Sequence, residues 1–153
     1  MSDGKIFYVV DYSDSLQDQT GTGENVEFEN KYNTQIHMYD MNQKEDQLVY
    51  QYDLDYCMSI YDLRARGDRI VWVEQPKSGG WTMKTMNIEN ETQPQIITDS
   101  TKISSDETDA IVPTMGEDKV YWYLCEKEKK HPYSLYSYDF LTQKIQSEQA
   151  DLD

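Results

Sequence analysis

The chain has 153 residues, and its 29 acidic and 14 basic residues give it a formal net charge of −15 at pH 7. Such an acidic surface repels phosphate backbones, which argues against nucleic acid as a partner. The length suffices for one domain with a hydrophobic core, and the 13 tyrosines and 3 tryptophans argue against an unfolded chain. No apolar stretch approaches the length of a membrane span, so we expect no membrane contact by this segment.

In chain order, alternating apolar residues and turn residues predict eleven short strands and no amphipathic helix. The predicted strands are Ile6–Val10, Gln35–Met41, Gln47–Tyr52, Cys57–Leu63, Ile70–Val73, Trp81–Ile88, Gln95–Thr98, Ala110–Met115, Lys119–Leu124, Tyr133–Phe140 and Lys144–Gln149. Pro113 weakens the eighth of these because proline has no N–H to donate. Asp11–Asn33 is predicted to be a long polar loop, with a strand extension around Val26–Phe28.

A strand signature occurs three times in this order. Each copy has a basic, then an aliphatic, and finally an aromatic residue, at Lys5–Tyr8, Arg69–Trp72 and Lys119–Trp122. A second strand that ends in a polar turn follows each copy, at Ile36–Asp40, Met83–Asn87 and Leu135–Asp139. Four short strands cannot bury their own faces, so each unit must stack on its neighbours. The period of about 50 residues is typical of propeller blades.

These units resemble the bacterial TolB-like (Asp-repeat) β-propellers. In that family an Asp-Gly-x-Ile-x-Phe/Trp strand precedes an x-Ile-Tyr-x-x-Asp/Asn strand and then a short third strand. Here Gly67–Glu74, Trp81–Asn87 and Gln95–Ile97 follow that order, and the resemblance covers nearly the whole chain. It implies an all-β fold of consecutive four-stranded antiparallel blades, an incomplete β-propeller of about three blades. It also implies a bacterial, extracytoplasmic protein, in the periplasm or at the cell surface.

The resemblance also sets the expected domain organisation. Residues 1–153 form one propeller unit, with blades at about 4–52, 57–98 and 110–149. Family members usually have six to eight blades, and the first unit here begins at its second strand, so we expect part of a larger propeller. A half-ring that dimerises is the alternative. Both ends should then expose sheet faces rich in Ile, Val and Tyr, and such open blades favour self-association.

The leading functional hypothesis is a non-enzymatic binding or assembly module. Propeller loops converge on one face, which here would hold a protein or a small polar ligand. The candidate interaction residues on that face are Tyr12, Tyr56, Lys77 and His131. The alternative is an accessory propeller of a multidomain hydrolase, similar to a peptidase, whose catalytic domain lies outside this chain. Fold analogy does not choose between the two hypotheses.

The residues that could carry chemistry are few. Neither His37 nor His131 belongs to a nucleophile elbow or a metal-binding helix motif, so we expect no catalytic site. Cys57 and Cys125 are 68 positions apart (125 − 57), without a CxxC pair, which predicts buried free thiols in strands and no metal or other cofactor. The carboxylates of Asp11–Asp18 lack the order of a calcium loop and are expected to be solvated.

The large aromatic residues have two interpretations. Tyr8, Trp72 and Trp122 could stack on sugars or peptides, as exposed aromatic side chains do. Their place in the repeated strand favours packing between adjacent blades instead. The spacings of 64 residues (72 − 8) and 50 residues (122 − 72) put them at equivalent positions, with the first gap widened by the long loop.

Overall fold

The computed structural model describes residues 4–14, 31–54, 57–101, 111–125 and 133–148. Over these ranges the chain is all-β, with three separate antiparallel sheets and no helical residue. Each sheet consists of strands that are consecutive in sequence, one sheet for each copy of the repeat. The all-β class and the assignment of one antiparallel sheet to each repeat are therefore confirmed.

The first sheet has three strands in sequential order, β1 (Lys5–Asp14), β2 (Lys31–Asp40) and β3 (Glu45–Leu54). Successive side chains of a strand point to opposite faces of its sheet. Phe7, Ile36 and Tyr50 lie on the inner face, which packs on the middle sheet. Ile6 and Tyr8 alternate with Phe7 and belong to the outer face, which points away from the other sheets.

The middle sheet has four strands in sequential order, β4 (Ser59–Arg66), β5 (Arg69–Gln75), β6 (Thr82–Asn87) and β7 (Gln95–Asp99). In β5 the five consecutive residues from Ile70 to Glu74 are all buried. A strand is buried at every position only when both faces of its sheet are covered. The middle sheet thus lies between the other two sheets.

The last sheet also has four strands, β8 (Thr114–Met115), β9 (Lys119–Cys125), β10 (Tyr133–Asp139) and β11 (Lys144–Glu148). Its first strand is shorter than the predicted Ala110–Met115, because residues 111–113 pair with no strand. Pro113 is fully buried and has no N–H to contribute to a ladder. The pairing with β9 therefore begins at Thr114.

The three sheets repeat the same local structure. In each sheet, the residue after β2, β6 or β10 donates its N–H to the carbonyl of the residue before β1, β5 or β9: Met41 to Gly4, Ile88 to Asp68 and Phe140 to Asp118. The last residue of β2, β6 or β10 accepts N–H groups of the following turn through its side chain. These three residues are Asp40, Asn87 and Asp139. The spacing of the repeat therefore reflects structural equivalence.

The first junction, between the first and middle sheets, has a small apolar core. Its fully or almost fully buried residues are Ile36, Ile70, Trp72 and Met86. Partly buried residues from both sheets surround them, namely Phe7, Val49, Tyr50, Ile60, Leu63, Ala65 and Ile88. At the rim, Lys5 Nζ lies 2.5 Å from Asp68 Oδ1. This hydrogen bond raises the pKa of Lys5.

The second junction, between the middle and last sheets, has a larger apolar core. Its ten buried residues are Val71, Val73, Trp81, Met83, Ile97, Ile111, Val120, Trp122, Leu124 and Tyr138. Trp122 stacks on Tyr136 with ring centroids 5.9 Å apart. The Arg69 guanidinium lies 4.7 Å from the centre of the Phe140 ring across this junction. The predicted burial of Trp72 and Trp122 between adjacent sheets is confirmed.

Tyr8 does not share that environment. It is the fourth residue of its strand, as Trp72 and Trp122 are of theirs, but it lies on the outer face of the first sheet. None of the three described sheets covers that face, so the prediction that Tyr8 packs between two sheets is wrong for this part of the chain. The physical reason is the position of its sheet, because the first sheet has no described sheet in front of it.

The predicted loop Asp11–Asn33 is too long at both ends. β1 continues to Asp14 and β2 begins at Lys31, and the two strands stay paired from Asp11↔Thr34 to Asp14↔Lys31. Polar residues are tolerated there because one face of an antiparallel sheet can meet solvent. Residues 15–30, which include the predicted extension at Val26–Phe28, lie outside the described residues.

Cys57 is not a buried strand residue, and that prediction is wrong. β4 begins only at Ser59, and Cys57 is an exposed free thiol. Its sulfur lies 3.6 Å from the Thr34 hydroxyl, which also accepts the Met58 N–H at 3.1 Å. These contacts hold the chain against the first sheet just before it enters the middle sheet. The side chain of Cys125 lies outside the described residues.

Candidate functional site

Two of the four predicted interaction residues belong to the described part of the chain. Tyr12 is half exposed near the end of β1, and Lys77 is exposed in the connection from β5 to β6. Both lie towards the end of the sheets opposite the Lys5–Asp68 ion pair. Tyr56 and His131 lie outside the described residues, so their place on this face stays a prediction.

The turn that carries Lys77 has a defined shape. The Gly79 N–H donates to the Pro76 carbonyl at 2.9 Å, and Gly79 and Gly80 have positive φ angles of 84° and 77°. Glycine adopts this left-handed conformation without a steric penalty. Ser100 then fixes the turn to the middle sheet, because its N–H donates to the Trp81 carbonyl at 2.9 Å. A β-carbon on Gly80 would lie 2.4 Å from Ser100 Oγ, so this position requires glycine.

A polar cluster on the outer face of the first sheet surrounds His37. The Tyr8 hydroxyl donates to Asp46 Oδ1 at 2.6 Å, and His37 Nδ1 lies 2.9 Å from Asp46 Oδ2. His37 Nε2 lies 2.6 Å from Gln35 Oε1, and the Tyr8 and His37 rings stack at 5.5 Å. The Tyr8 hydrogen bond lowers the pKa of Asp46 and raises the pKa of Tyr8. The cluster orients a tyrosine and a histidine on an open sheet face.

A second polar cluster is buried in the first junction. The Trp72 Nε1–H donates at 3.0 Å to both the Tyr52 hydroxyl and Glu74 Oε2. The Tyr52 hydroxyl also donates to Glu74 Oε2, and Lys84 Nζ lies 2.7 Å from Glu74 Oε1. Burial, followed by the Glu74 charge, raises the pKa of Tyr52 well above its ordinary value. We call these residues (Tyr52, Trp72, Glu74, Lys84) the Glu74 cluster.

Sequence reasoning missed the Glu74 cluster. It assigned Glu74 to a loop, Glu74–Gly80, whereas β5 continues to Gln75 and only 4% of Glu74 is exposed. The alternation of Ile70, Trp72 and Glu74 on one face was the available signal. The alternation within β5 could not identify the partners of Glu74, because Tyr52 belongs to β3 and Lys84 to β6.

His37 pairs with Asp46 and Gln35, and neither is a nucleophile that an imidazole base could activate. Over the described ranges, no three His, Cys, Asp or Glu side chains come close enough to hold a metal ion. In the same ranges, no helix has the length and apolar character needed to cross a membrane.

Comparisons with known proteins identify no relative: no protein-family model, curated protein or solved structure matches the chain. The TolB-like resemblance stays a prediction from the repeat signature.

Proposed function

We propose that the chain is a non-enzymatic, β-propeller-type scaffold that binds a protein or a small polar ligand through the loops at one end of its sheets. Two features support a propeller arrangement. The sheets pack in a row through their faces, and β4 lies beside β1 on one side and β8 on the other. In a propeller the innermost strands are neighbours in this way around a central axis, and β1, although equivalent to β5 and β9, would be the innermost strand of the three-stranded first sheet.

The shared orientation of the three sheets is the observation that carries the proposal. The starts of β1 and β5 meet at the Lys5–Asp68 pair, and Arg69 at the start of β5 meets Phe140 beside the start of β9. The connections from β1 to β2, from β5 to β6 and from β9 to β10 therefore leave from one common end. Loops that rigid strands gather at one end are the usual location of a binding surface.

Lys77 and Tyr12 indicate the chemistry of the ligand. Lys77 places a positive charge at the loop end of a chain whose net charge is −15. Tyr12 is an exposed aromatic residue with both an apolar ring and a hydroxyl. A cation and an amphipathic ring together favour a polar ligand that carries an acidic or hydroxyl-rich group, such as an acidic peptide or a glycan.

Peptide and glycan arrays probed with the whole chain test this proposal. We expect binders that are lost in Lys77→Glu and weakened in Tyr12→Ala. The matched control is Arg66→Glu, which makes the same charge change at an exposed position of the opposite end, where β4 ends. The proposal fails if the binders depend on Arg66 and not on Lys77, or if neither array yields a binder.

A further inference from the structure

Both junctions are built from the same positions of the repeat. The aliphatic signature residue of the following sheet, Ile70 or Val120, is fully buried against the preceding sheet. The first turn residue after β6 or β10, Ile88 or Phe140, packs on the same core from the rim. Each following sheet thus presents one defined surface to the sheet before it.

The first sheet carries this surface with no described sheet in front of it. Its equivalent aliphatic residue is Ile6, which is 49% exposed, whereas Ile70 and Val120 are 0% exposed. Its equivalent turn residue is Met41, which is 51% exposed and makes the same backbone hydrogen bond as Ile88 and Phe140. At these two positions the outer face of the first sheet matches a junction surface, and between them it carries the polar cluster around His37.

The last sheet carries the complementary surface. In the middle sheet, Val71 and Val73 point towards the following sheet and are fully buried. Their equivalents in β9 are Tyr121 and Tyr123, and Tyr123 is 65% exposed. The last sheet thus exposes a large aromatic ring at a position where the middle sheet buries a valine under the next sheet.

The signature basic residues indicate the same pairing. Lys5 reaches across the first junction to Asp68, and Arg69 reaches across the second junction to the Phe140 ring. Their equivalent in the last sheet is Lys119, whose ammonium lies 3.5 Å from Gln146 Oε1 within its own sheet. A sheet packed on this face would offer Lys119 a partner across the junction, as the following sheets do for Lys5 and Arg69.

We propose that the outer face of the last sheet binds the outer face of the first sheet of a second copy of this chain, head to tail. Two such contacts between two copies would close a ring of six sheets, and a single contact would leave an open pair. This association does not depend on what the loop end binds, so its failure would leave the proposed ligand surface untouched.

Sedimentation velocity over about a thousandfold concentration range tests the proposal, in 150 mM NaCl so that long-range repulsion is screened. We expect a reversible dimer. Met41→Asp damages only the first-sheet face and Tyr123→Asp only the last-sheet face, and each should weaken association at least about tenfold. Ile96→Asp is the matched control, because Ile96 is 56% exposed on the middle sheet. Circular dichroism verifies that each variant is folded.

Mixing the two damaged variants identifies the geometry. Met41→Asp retains its last-sheet face and Tyr123→Asp retains its first-sheet face, so a 1:1 mixture should associate more tightly than either variant alone. Several results overturn the proposal: a wild-type chain that stays monomeric at every concentration, a mixture no tighter than its components, or a loss on only one of the two faces. The last result would indicate pairing of identical faces instead.

Discussion

Trp72 and Trp122 occupy the same position in β5 and β9, but their indole N–H groups have different surroundings. Trp72 donates to Tyr52 and Glu74, whereas the Trp122 N–H is buried and finds no acceptor in the part of the chain that the structure describes. Two residues further along each strand, Glu74 in the first junction corresponds to Leu124 in the second. On the neighbouring strand, Lys84 of β6 pairs in register with Trp72, and Tyr136 of β10 pairs in register with Trp122. Lys84 and Tyr136 therefore occupy corresponding positions.

This comparison separates shape from chemistry in a repeat. Both junctions use a tryptophan at the same place, but one is completed by the Glu74–Lys84 ion pair and the other by apolar packing. A buried ion pair gains little net free energy over a well-packed apolar equivalent, because both charges lose hydration. A hydrogen-bonded cluster of fixed geometry favours one arrangement of the two sheets. We infer that the Glu74 cluster contributes more to alignment than to stability.

The largest expected effects come from shortening the two tryptophans. Trp72→Ala and Trp122→Ala should each lower the free energy of unfolding by about 3–5 kcal/mol, the usual range for a deleted buried aromatic side chain. Trp72→Ala should cost about 1 kcal/mol more, since it also removes a donor from the buried Glu74 carboxylate. Urea unfolding of both variants measures the difference. An equal cost at the two positions would contradict the distinction between the junctions.

An intermediate effect comes from breaking the ion pair. Lys84→Met leaves Glu74 buried without its cation and should cost up to about 3 kcal/mol, less than a fully buried pair because Lys84 is partly accessible. In the triple variant Tyr52→Phe, Glu74→Leu, Lys84→Tyr, the last two changes give the first junction the side chains of the second, and Tyr52→Phe removes the hydroxyl that would lose its acceptor. It should recover most of that loss in urea unfolding. A triple variant less stable than Lys84→Met would show that the cluster is itself a main source of stability.

The smallest effect is a pH dependence. The raised pKa of Tyr52 means that the folded chain keeps a proton that the unfolded chain loses near pH 10. Its contribution to stability is fully present below about pH 10 and is lost as the pH rises further. Between about pH 8.5 and pH 10.5, Tyr52→Phe should therefore lose less stability than the wild type, by up to about 1 kcal/mol. Urea unfolding at both values measures this loss.

The control for this measurement is Tyr12→Phe, which removes a hydroxyl from a half-exposed position near the end of β1, outside both junctions. Identical alkaline losses in the wild type and in Tyr52→Phe would mean that the Tyr52 hydroxyl keeps no proton preferentially in the folded state. The second junction has no counterpart of the Glu74 carboxylate that accepts from the Tyr52 hydroxyl, since Leu124 occupies that position.

Local sequence patterns predicted the strands and their grouping because each sheet forms from neighbouring strands. The last strand of each sheet was predicted from the same pattern, at Gln47–Tyr52, Gln95–Thr98 and Lys144–Gln149, and these strands are present as β3, β7 and β11. Trp72 and Trp122 were placed correctly because a large aromatic residue within an apolar run seldom stays exposed.

What the sequence could not predict depends on contacts between distant segments. The burial of Glu74 requires Lys84 and Tyr52, which belong to two other strands. The extension of β1 to Asp14 depends on pairing with Lys31, and composition alone made both segments resemble loop. For the candidate interaction face, the pattern indicated the end of the sheets at which Tyr12 and Lys77 lie, but not the hydrogen bond from Ser100 that fixes the Lys77 turn to the middle sheet.

The sequential strand order has a consequence for the folding kinetics of this chain. Neighbouring strands within each sheet are consecutive in sequence, so the contacts that form a sheet are local and cost little chain entropy, with the 16-residue connection from β1 to β2 as the longest step in the first sheet. Folding rates rise as contacts become more local, and stability in such arrays is approximately a sum of unit and neighbour terms. The two cores share no residue, so each junction can open while the other stays closed. Native-state exchange of backbone amides should therefore release the first sheet as one cooperative unit, before the tightly packed pair of the middle and last sheets.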